Sequence, residues 1–188
     1  AQVAASNSFK TILYDLDANT LQKAKIKMEA DLTMLVSKQK ISEEKKDEIL
    51  KKLAYTSSID DCKADIIIEA IIEKPEMKIS LFNQLAERNS AQAIFATNTS
   101  SLSVSAIANE VINPERVAGL HFFNPAPLMK LVEVVRGEQT SEKVVNDLVS
   151  ITKQLGKVPV VCKDSPGFIV NRVARPYYIE SLRLAEQG

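Results

Sequence analysis

Residues 65–70, Asp-Ile-Ile-Ile-Glu-Ala, form a continuous apolar run bounded by carboxylates. Such a run of β-branched residues is typical of a central strand in a parallel sheet that is covered on both faces. Pro75 then begins an amphipathic helix that extends to Leu85, and residues 93–97 form a second apolar run. A strand, a helix and another strand in this order predict an α/β protein.

The same alternation extends through the rest of the chain. Further strands are predicted over residues 9–15, 117–120, 131–135 and 157–162. Further helices are predicted at the amino terminus (Ala1–Ala5), from Leu21 to Leu35, after the N-cap Ser42 with Leu53 on its apolar side, and from Ser141 to a stop at Gly156. The fold class predicted from this order is α/β, with a doubly wound sheet.

The pattern changes after residue 164. From Ser165-Pro166-Gly167 onward, residues 168–186 form a single long apolar helix that contains Pro176. We therefore predict two units: an α/β domain over residues 1–164, and the first helix of an all-α carboxy-terminal domain over residues 165–188.

A dinucleotide-binding sheet normally begins with a strand and a Gly-x-Gly-x-x-Gly turn that holds the pyrophosphate. The chain contains no such motif, yet Asp15 lies where the ribose-binding carboxylate at the end of the second strand belongs. We expect truncation at both ends, so that the sheet lacks its first strand and glycine loop. The alternative is a complete fold in which Asp15 only caps a helix.

Bulk composition excludes several classes of protein. Lys+Arg and Asp+Glu number 24 each and no basic tract occurs, which disfavours nucleic-acid binding. Cys62 and Cys162 lack metal-ligand spacing, so no metal is expected, and no leader or membrane-spanning stretch occurs. A soluble intracellular protein is the simplest interpretation, and a disulfide between the two cysteines is disfavoured in a reducing compartment.

His121 is the only histidine of the chain. Because imidazole is the side chain whose ordinary pKa falls near neutrality, His121 is the candidate for acid–base chemistry at neutral pH. It follows the hydroxyl-rich segment Asn98-Thr99-Ser100-Ser101 and precedes the carboxylate Glu133. The plainer alternative is that His121 merely ends a strand.

Four separated motifs resemble one family. They are residues 98–102 (Asn-Thr-Ser-Ser-Leu), 119–125 (Gly-Leu-His-Phe-Phe-Asn-Pro), 129–134 (Met-Lys-Leu-Val-Glu-Val) and 163–172 (Lys-Asp-Ser-Pro-Gly-Phe-Ile-Val-Asn-Arg). In this order, and over nearly the whole chain, they resemble the L-3-hydroxyacyl-CoA dehydrogenases, including 3-hydroxybutyryl-CoA dehydrogenases. The resemblance implies a Rossmann-type fold.

The resemblance also implies the catalytic roles. By it, His121 is the acid–base and Glu133 its partner, while Ser100 and Asn171 hydrogen-bond the 3-oxygen of the substrate. A carboxylate on one ring nitrogen would fix the tautomer and stabilise the imidazolium while the other nitrogen takes the proton. Taken without the family, Ser100 is a loop-capping serine and Asn171 a helix-surface amide.

The cofactor and substrate residues also follow from the resemblance. It assigns Asp15 to the adenosine ribose and Glu73, Lys78, Ser100 and Asn124 to the nicotinamide half. A carboxylate at Asp15 favours NAD over NADP, because it would repel a 2′-phosphate. Lys38 and Lys78 match positions that contact coenzyme A, whereas Asp31 departs from the serine that a relative uses there.

We therefore predict an NAD-dependent enzyme that oxidises L-3-hydroxyacyl-CoA reversibly to 3-ketoacyl-CoA, in fatty-acid β-oxidation or butyrate-type metabolism. It is expected to be cytoplasmic, or in the mitochondrial matrix of a eukaryote, and a homodimer through the helical domain. The polypeptide as given is expected to be poorly active. Alternatives are a β-hydroxyacid dehydrogenase, which the His121/Glu133 pairing disfavours, and a non-catalytic crystallin-like or self-associating descendant.

Overall fold

The computed structural model describes all 188 residues. Its seven strands are β1 (Thr11–Tyr14), β2 (Leu53–Thr56), β3 (Ile66–Glu69), β4 (Ile94–Thr97), β5 (Val117–Phe122), β6 (Leu131–Arg136) and β7 (Val158–Lys163). Its seven α-helices are α1 (Gln2–Ser6), α2 (Ala18–Ser37), α3 (Glu43–Lys51), α4 (Pro75–Arg88), α5 (Val104–Ala108), α6 (Glu142–Gln154) and α7 (Val170–Gln187). Strands and helices alternate along most of the chain, as predicted.

Local capping signals place several helix starts. The Ser42 hydroxyl accepts a hydrogen bond from the Lys45 amide at the start of α3, and the Ser141 hydroxyl accepts one from the Val144 amide at the start of α6. Pro75 occupies the first turn of α4, where its missing N–H costs nothing. These three predicted starts are confirmed.

The strands divide between two sheets. β1 and β2 form a parallel pair, and the other five strands are ordered β3-β4-β5-β6-β7. β3, β4 and β5 are parallel, but β6 runs antiparallel to β5, and β7 is parallel to β6. β3 lies at the edge of the larger sheet, and Ile68 is 44% exposed, so the expectation of a strand covered on both faces was wrong.

Helices cover both faces of the five-stranded sheet. On one face, Phe82 and Leu85 of α4 and Ile107 of α5 pack against Phe95 and Val117 of the sheet. On the other face, three residues of α6, Val144, Val145 and Leu148, pack against residues of β4, β5 and β6. This arrangement is the doubly wound layering that the sequence predicts.

Several predicted boundaries were wrong. α2 extends from Ala18 to Ser37 and not only from Leu21 to Leu35, and β1 is shorter than the predicted residues 9–15. Leu53 belongs to β2 and not to the preceding helix, because α3 ends at Lys51 and the chain turns at once to pair with β1. The last helix begins at Val170 and not at residue 168, because Gly167 (φ +75°) and Phe168 (φ +47°) both have left-handed backbone conformations that a right-handed helix excludes.

Candidate functional site

His121 and Glu133 face each other across two antiparallel strands. They are direct cross-strand partners of β5 and β6, so their side chains leave the same face of the sheet. His121 Nδ1 lies 2.7 Å from Glu133 Oε2. His121 is 7% exposed and Glu133 is fully buried. The two side chains therefore form a buried hydrogen-bonded pair.

The second carboxylate oxygen of Glu133 binds the beginning of α7. Glu133 Oε1 accepts hydrogen bonds of 2.9 Å from the backbone amides of Ile169 and Val170. A carboxylate at the positive end of a helix is stabilised by the unpaired amides there. These bonds satisfy a charge that would otherwise be costly to bury. The sequence gives one indication of this contact. A helix that begins after Gly167 leaves its first backbone amides without partners inside the helix.

Aromatic rings enclose His121. The ring centroid of Phe123 lies 4.5 Å from that of His121, and the centroid of Phe168 lies 5.9 Å away. With Nδ1 engaged by Glu133, the Nε2 atom of His121 has no hydrogen-bond partner within the protein. The site therefore offers one free imidazole nitrogen for exchanging a proton with a bound molecule.

Ser100 and Asn171 come together from positions 71 residues apart in the chain. The Asn171 side-chain amide donates to the Ser100 carbonyl at 3.4 Å, and both residues are exposed. The Ser100 hydroxyl makes no hydrogen bond within the protein. Ser100 follows β4 and Asn171 lies in the first turn of α7, the helix held by Glu133. The structure thus brings Ser100 together with Asn171, on the helix whose first amides Glu133 binds.

Glu73 organises the turn that carries Ser100. Its carboxylate accepts hydrogen bonds from the Thr99 hydroxyl, from the Ser100 amide at 3.3 Å and from the Ser101 hydroxyl at 3.4 Å. Partial burial acts to raise the pKa of Glu73, but the hydrogen bond from Thr99 and the ion pair with Lys78 outweigh it and leave the pKa below its ordinary value. Glu73 is therefore an anion at neutral pH.

Lys78 lies on α4 and is buried, whereas lysines on helices are usually exposed to solvent. It is 1% exposed, and its ammonium lies 2.7 Å from Glu69 Oε1 and 3.2 Å from Glu73 Oε2. Sequence reasoning missed Glu69, because a carboxylate at the end of an apolar strand has no local partner in the sequence. The Lys78 ammonium is thus enclosed by carboxylates at the carboxyl end of β3.

Asp15 and Lys38 lie in the part of the molecule built on β1 and β2. Asp15 directly follows β1, and its Oδ1 accepts the Asp17 amide at 2.9 Å while Oδ2 has no partner in the protein. A free carboxylate oxygen at the end of a parallel strand fits a ribose hydroxyl of a dinucleotide. Lys38 is exposed at the carboxyl end of α2.

Asn124 follows β5 in an exposed loop that a buried lysine supports. Lys157, 8% exposed, donates from its ammonium to the carbonyls of Ala126 at 2.5 Å and Met129 at 2.8 Å. Burial lowers the pKa of Lys157, and no carboxylate lies within ion-pair distance of it. Sequence reasoning missed this residue too, because its partners are backbone atoms about 30 positions away.

Both cysteines are free and buried, so no disulfide joins them. Burial, together with the negative charges of Glu133 and Asp164, raises the pKa of Cys162 to about 11. Cys162 therefore stays a neutral thiol beside the site. No group of three or more His, Cys, Asp or Glu residues is arranged to hold a metal ion. None of the helices is both long and apolar enough to cross a membrane.

The fold and the site define a class: a doubly wound α/β domain with a buried His–Glu pair and an acidic residue at the end of its first strand. Residues 1–165 match the family model described as "3-hydroxyacyl-CoA dehydrogenase, NAD binding domain". The chain belongs to this family, and its fold is the Rossmann-type NAD-binding fold. The free Oδ2 of Asp15 at the end of β1 is suited to a ribose hydroxyl of this cofactor.

Similar proteins carry related names. The chain is 50% identical to 3-hydroxyadipyl-CoA dehydrogenase of Escherichia coli K12, over all of this chain and 40% of that protein. It is 45% identical to the mitochondrial hydroxyacyl-coenzyme A dehydrogenase of Sus scrofa, over all of this chain and 62% of that protein. The chain therefore spans roughly half the length of these relatives.

Solved structures agree with the assignment to this family. A crystal structure of 3-hydroxybutyryl-CoA dehydrogenase from E. coli K12 superposes with a TM-score of 0.97 at 50% identity, covering 99% of this chain and 40% of that one. The (S)-3-hydroxybutyryl-CoA dehydrogenase PaaH1 of Ralstonia eutropha gives a TM-score of 0.96 at 35% identity, covering 100% of this chain and 66% of that one.

Proposed function

We propose that this chain is the NAD-binding part of an enzyme that reversibly oxidises L-3-hydroxyacyl-CoA to 3-ketoacyl-CoA. The observation that carries the proposal is the buried His121–Glu133 pair, with its 2.7 Å hydrogen bond and its free Nε2. A 3-hydroxyl must lose a proton as its carbon is oxidised, and the pair is suited to accept that proton. The names of the relatives support the substrate class.

In the proposed mechanism His121 Nε2 takes the hydroxyl proton. Nδ1 carries its own hydrogen toward Glu133 Oε2, so the carboxylate holds the ring in the tautomer that leaves Nε2 able to accept a proton. Glu133 then stabilises the imidazolium ion that forms. In the reverse direction the imidazolium returns the proton to the 3-oxygen. Burial of the pair excludes water, which strengthens both interactions.

Ser100 and Asn171 hold the substrate in this proposal. The unpartnered Ser100 hydroxyl and the Asn171 amide are neutral donors that would stabilise charge on the 3-oxygen and keep it beside His121. Both are exposed and so accessible to a ligand. Glu73 supports them by fixing the Thr99–Ser101 turn.

Bound NAD would supply the hydride acceptor. We assign Asp15 to its adenosine ribose, and Glu73, Ser100 and Asn124 to its nicotinamide half. Lys78 would act on that half through its ion pair with Glu73. Lys38, which is exposed, remains our candidate for coenzyme A. Lys78 is a poorer candidate, because its ammonium is enclosed by Glu69 and Glu73.

The remaining proposals concern the whole protein. We propose that residues 1–164 are the NAD-binding unit, and that residues 165–188 begin a helical domain through which the protein forms a homodimer. Fatty-acid β-oxidation or butyrate-type metabolism is the proposed pathway. The proposed location is the cytoplasm, or the mitochondrial matrix if the source is a eukaryote, as the mitochondrial relative of Sus scrofa suggests.

The test is NADH consumption with acetoacetyl-CoA, measured on the natural-length protein and on its His121→Gln variant. We expect turnover in the wild type and a loss of about 10²- to 10⁴-fold in kcat in the variant, which is the usual contribution of a general acid–base. Unchanged NADH binding by the variant would show that the site is otherwise intact. Equal turnover by both proteins would refute the role of His121.

Absence of turnover with every short- and medium-chain 3-ketoacyl-CoA would refute the proposed reaction, provided that the wild type is folded and binds NADH. That result would favour the non-catalytic alternative. Assaying several acyl chain lengths separates this outcome from a simple preference for one substrate.

A further inference from the structure

A buried carboxylate outside the assigned site lies beneath the turn that carries Ser100. Glu69, at the end of β3, is 3% exposed. Its Oε1 accepts from the Lys78 ammonium at 2.7 Å and from the Ile71 amide at 2.6 Å, and its Oε2 accepts from the Thr97 hydroxyl at 2.8 Å. Every bond to Glu69 comes from a donor, as expected for an ionised carboxylate.

Glu69 and Glu73 share a single cation. Lys78 forms ion pairs with both, and neither carboxylate pairs with any other cation. Two negative charges and one positive charge leave the cluster with a formal net charge of −1. The Glu73 side chain is 39% exposed, so the cluster presents this negative charge to solvent beside the Thr99–Ser101 turn. A net negative charge at this place attracts a positively charged molecule more strongly than a neutral one.

The two forms of a nicotinamide cofactor differ in this way. The oxidised nicotinamide ring carries a positive charge and the reduced ring is neutral. At a partly buried site the field of one net charge acts over several ångströms with little screening. A net negative cluster near the ring therefore stabilises the oxidised form more than the reduced form.

We propose that Glu69 is a positioning residue that sets the relative affinity of the protein for oxidised and reduced nicotinamide, by keeping the Glu69–Lys78–Glu73 cluster negatively charged. Glu69 is buried and acts through Lys78 and Glu73, without touching the cofactor itself. The proposal rests on the proposed function, which places the nicotinamide half beside Glu73.

The experiment measures the Kd of NAD⁺ and of NADH separately, by titration calorimetry on the natural-length protein. Glu69→Gln keeps the shape of the side chain but neutralises the cluster. We expect it to weaken NAD⁺ binding about fivefold relative to NADH binding. This is the order of effect of removing one charge that lies several ångströms away at a partly buried site. A purely structural role would weaken the binding of both nucleotides by the same factor.

Thr97→Val is the matched control. It removes the hydroxyl that donates to Glu69 Oε2 but leaves every charge in place. We expect this variant to lose stability while keeping the wild-type ratio of the two dissociation constants. A ratio that shifts in Thr97→Val as much as in Glu69→Gln would overturn the charge argument.

A double variant keeps the proposal testable if Glu69→Gln does not fold. Glu69→Met/Lys78→Met replaces a buried ion pair by apolar side chains of similar volume, a change that is often neutral or stabilising. Because Glu73 remains, the net charge stays at −1, and the wild-type ratio should persist. The proposal is overturned if the ratio of the two dissociation constants changes in the folded double variant, or if it stays unchanged in folded Glu69→Gln.

Failure of the inference is distinguishable from failure of the proposed function. Wild-type protein that binds both nucleotides, with no change of ratio in Glu69→Gln, would refute only the role of Glu69. Wild-type protein that binds neither nucleotide would refute the proposed cofactor site and the inference together.

Discussion

Glu133 is the residue on which two parts of the site depend. One of its oxygens binds His121, and the other accepts the two amides that begin α7. A neutral amide cannot serve both neighbours, because one of its two polar atoms is a donor. Substitution at Glu133 should therefore change the protonation pattern of the histidine as well as its orientation.

We predict that Glu133→Gln changes the tautomer of neutral His121, so that its single ring N–H hydrogen lies on Nε2 and not on Nδ1. The glutamine oxygen would stay on the α7 amides, so its NH₂ group would face Nδ1, which must then be an acceptor. With Nε2 protonated, kcat should fall by roughly 10²- to 10⁴-fold. Nitrogen-15 NMR of the 188-residue polypeptide can detect the change directly, because these residues include a single histidine.

Glu133→Asp is the comparison variant, since it retains two acceptor oxygens. We expect it to keep the Nδ1–H tautomer and to lose activity only through a longer contact. An Nδ1–H tautomer in Glu133→Gln would contradict the prediction.

Asp164 gives a prediction with a defined pH dependence. Its carboxylate accepts from the Ser103 hydroxyl and the Ser105 amide, both at 2.8 Å. Burial acts to raise the pKa of Asp164, but the hydrogen bonds from Ser105 and Ser103 outweigh it and leave the pKa below its ordinary value of 3.8. Because the folded pKa is the lower one, the stabilisation is present above about pH 4 and is lost as pH falls through the folded pKa.

Asp164→Asn should lower the free energy of unfolding by about 1–3 kcal/mol at pH 7, the cost of weakening charge-assisted hydrogen bonds. The difference from wild type should shrink below about pH 4, in urea unfolding followed by circular dichroism. Ser101→Ala, on the loop that carries Ser103 but without a bond to Asp164, serves as the control. A difference that grows toward low pH would contradict the assigned sign.

The sequence indicated the chemistry of single residues better than it indicated which residues they contact. His121 was predictable because a single histidine in an apolar segment has few alternatives, and the family motifs supplied Glu133. The contacts of Glu69, Asp164 and Lys157 were not predictable, since each partner lies on another element. Hydrogen bonds between distant residues depend on packing that no local pattern encodes.

At the scale of elements, α5 packs closely on the sheet because Gly119 has no side chain. A Cβ at this position would lie 2.7 Å from Val135 Cβ and 3.0 Å from Val104 Cγ2, one on β6 and the other on α5. Both contacts are shorter than ordinary packing permits, and Gly119 lies two residues before His121 on β5. The close approach therefore helps to set the position of α5 relative to the His121–Glu133 pair.

Gly119→Ala should destabilise the protein by about 1–3 kcal/mol through overpacking. Val135→Ala in the same chain should recover part of this loss, because it removes the Cγ2 atom that would lie 3.0 Å from the new methyl group, although the Cβ at 2.7 Å remains. Thermal unfolding of the two single variants and the double variant measures the coupling. Purely additive effects would show that the γ carbons of Val135 are not the obstacle.

Elements that begin with a local signal were predicted well. The starts of α3 and α6 follow from Ser42 and Ser141, whose hydroxyls accept hydrogen bonds from amides of the first turn. The start of α4 follows from Pro75, whose fixed φ and missing N–H suit the first turn of a helix. β2 was missed because its four residues directly follow a helix with no glycine or proline between them. The short helix α5 was missed for a similar reason, since five residues carry too little periodicity.

At the scale of the whole molecule, burial is uneven. β4 is fully buried in the larger sheet, whereas β1 and β2 form a pair of four-residue strands with half-buried side chains. No side chain of α7 is buried, and Tyr177 is 73% exposed. Local stability follows the apolar surface that an element buries, so it should differ between these regions.

We predict that amide hydrogen exchange in this 188-residue polypeptide is slowest in β4 and β5, faster in β1 and β2, and fastest in the second half of α7. A helix without tertiary contacts is marginally stable in water. Mass spectrometry of peptic fragments measures the order. Protection of α7 equal to that of β5 would contradict this prediction.

The sequence by itself determined the class of fold, the starts of α3, α4 and α6, and the candidate acid–base. Those features depend on periodicity, on capping residues near their targets and on the rarity of histidine, all of which are local. Only the tertiary structure decided that β6 runs antiparallel to β5, and thus that Glu133 faces His121 directly. It also decided that Lys78 is buried between Glu69 and Glu73. Strand direction and buried ion pairs depend on contacts between residues far apart in the chain, and these form only when the layers pack.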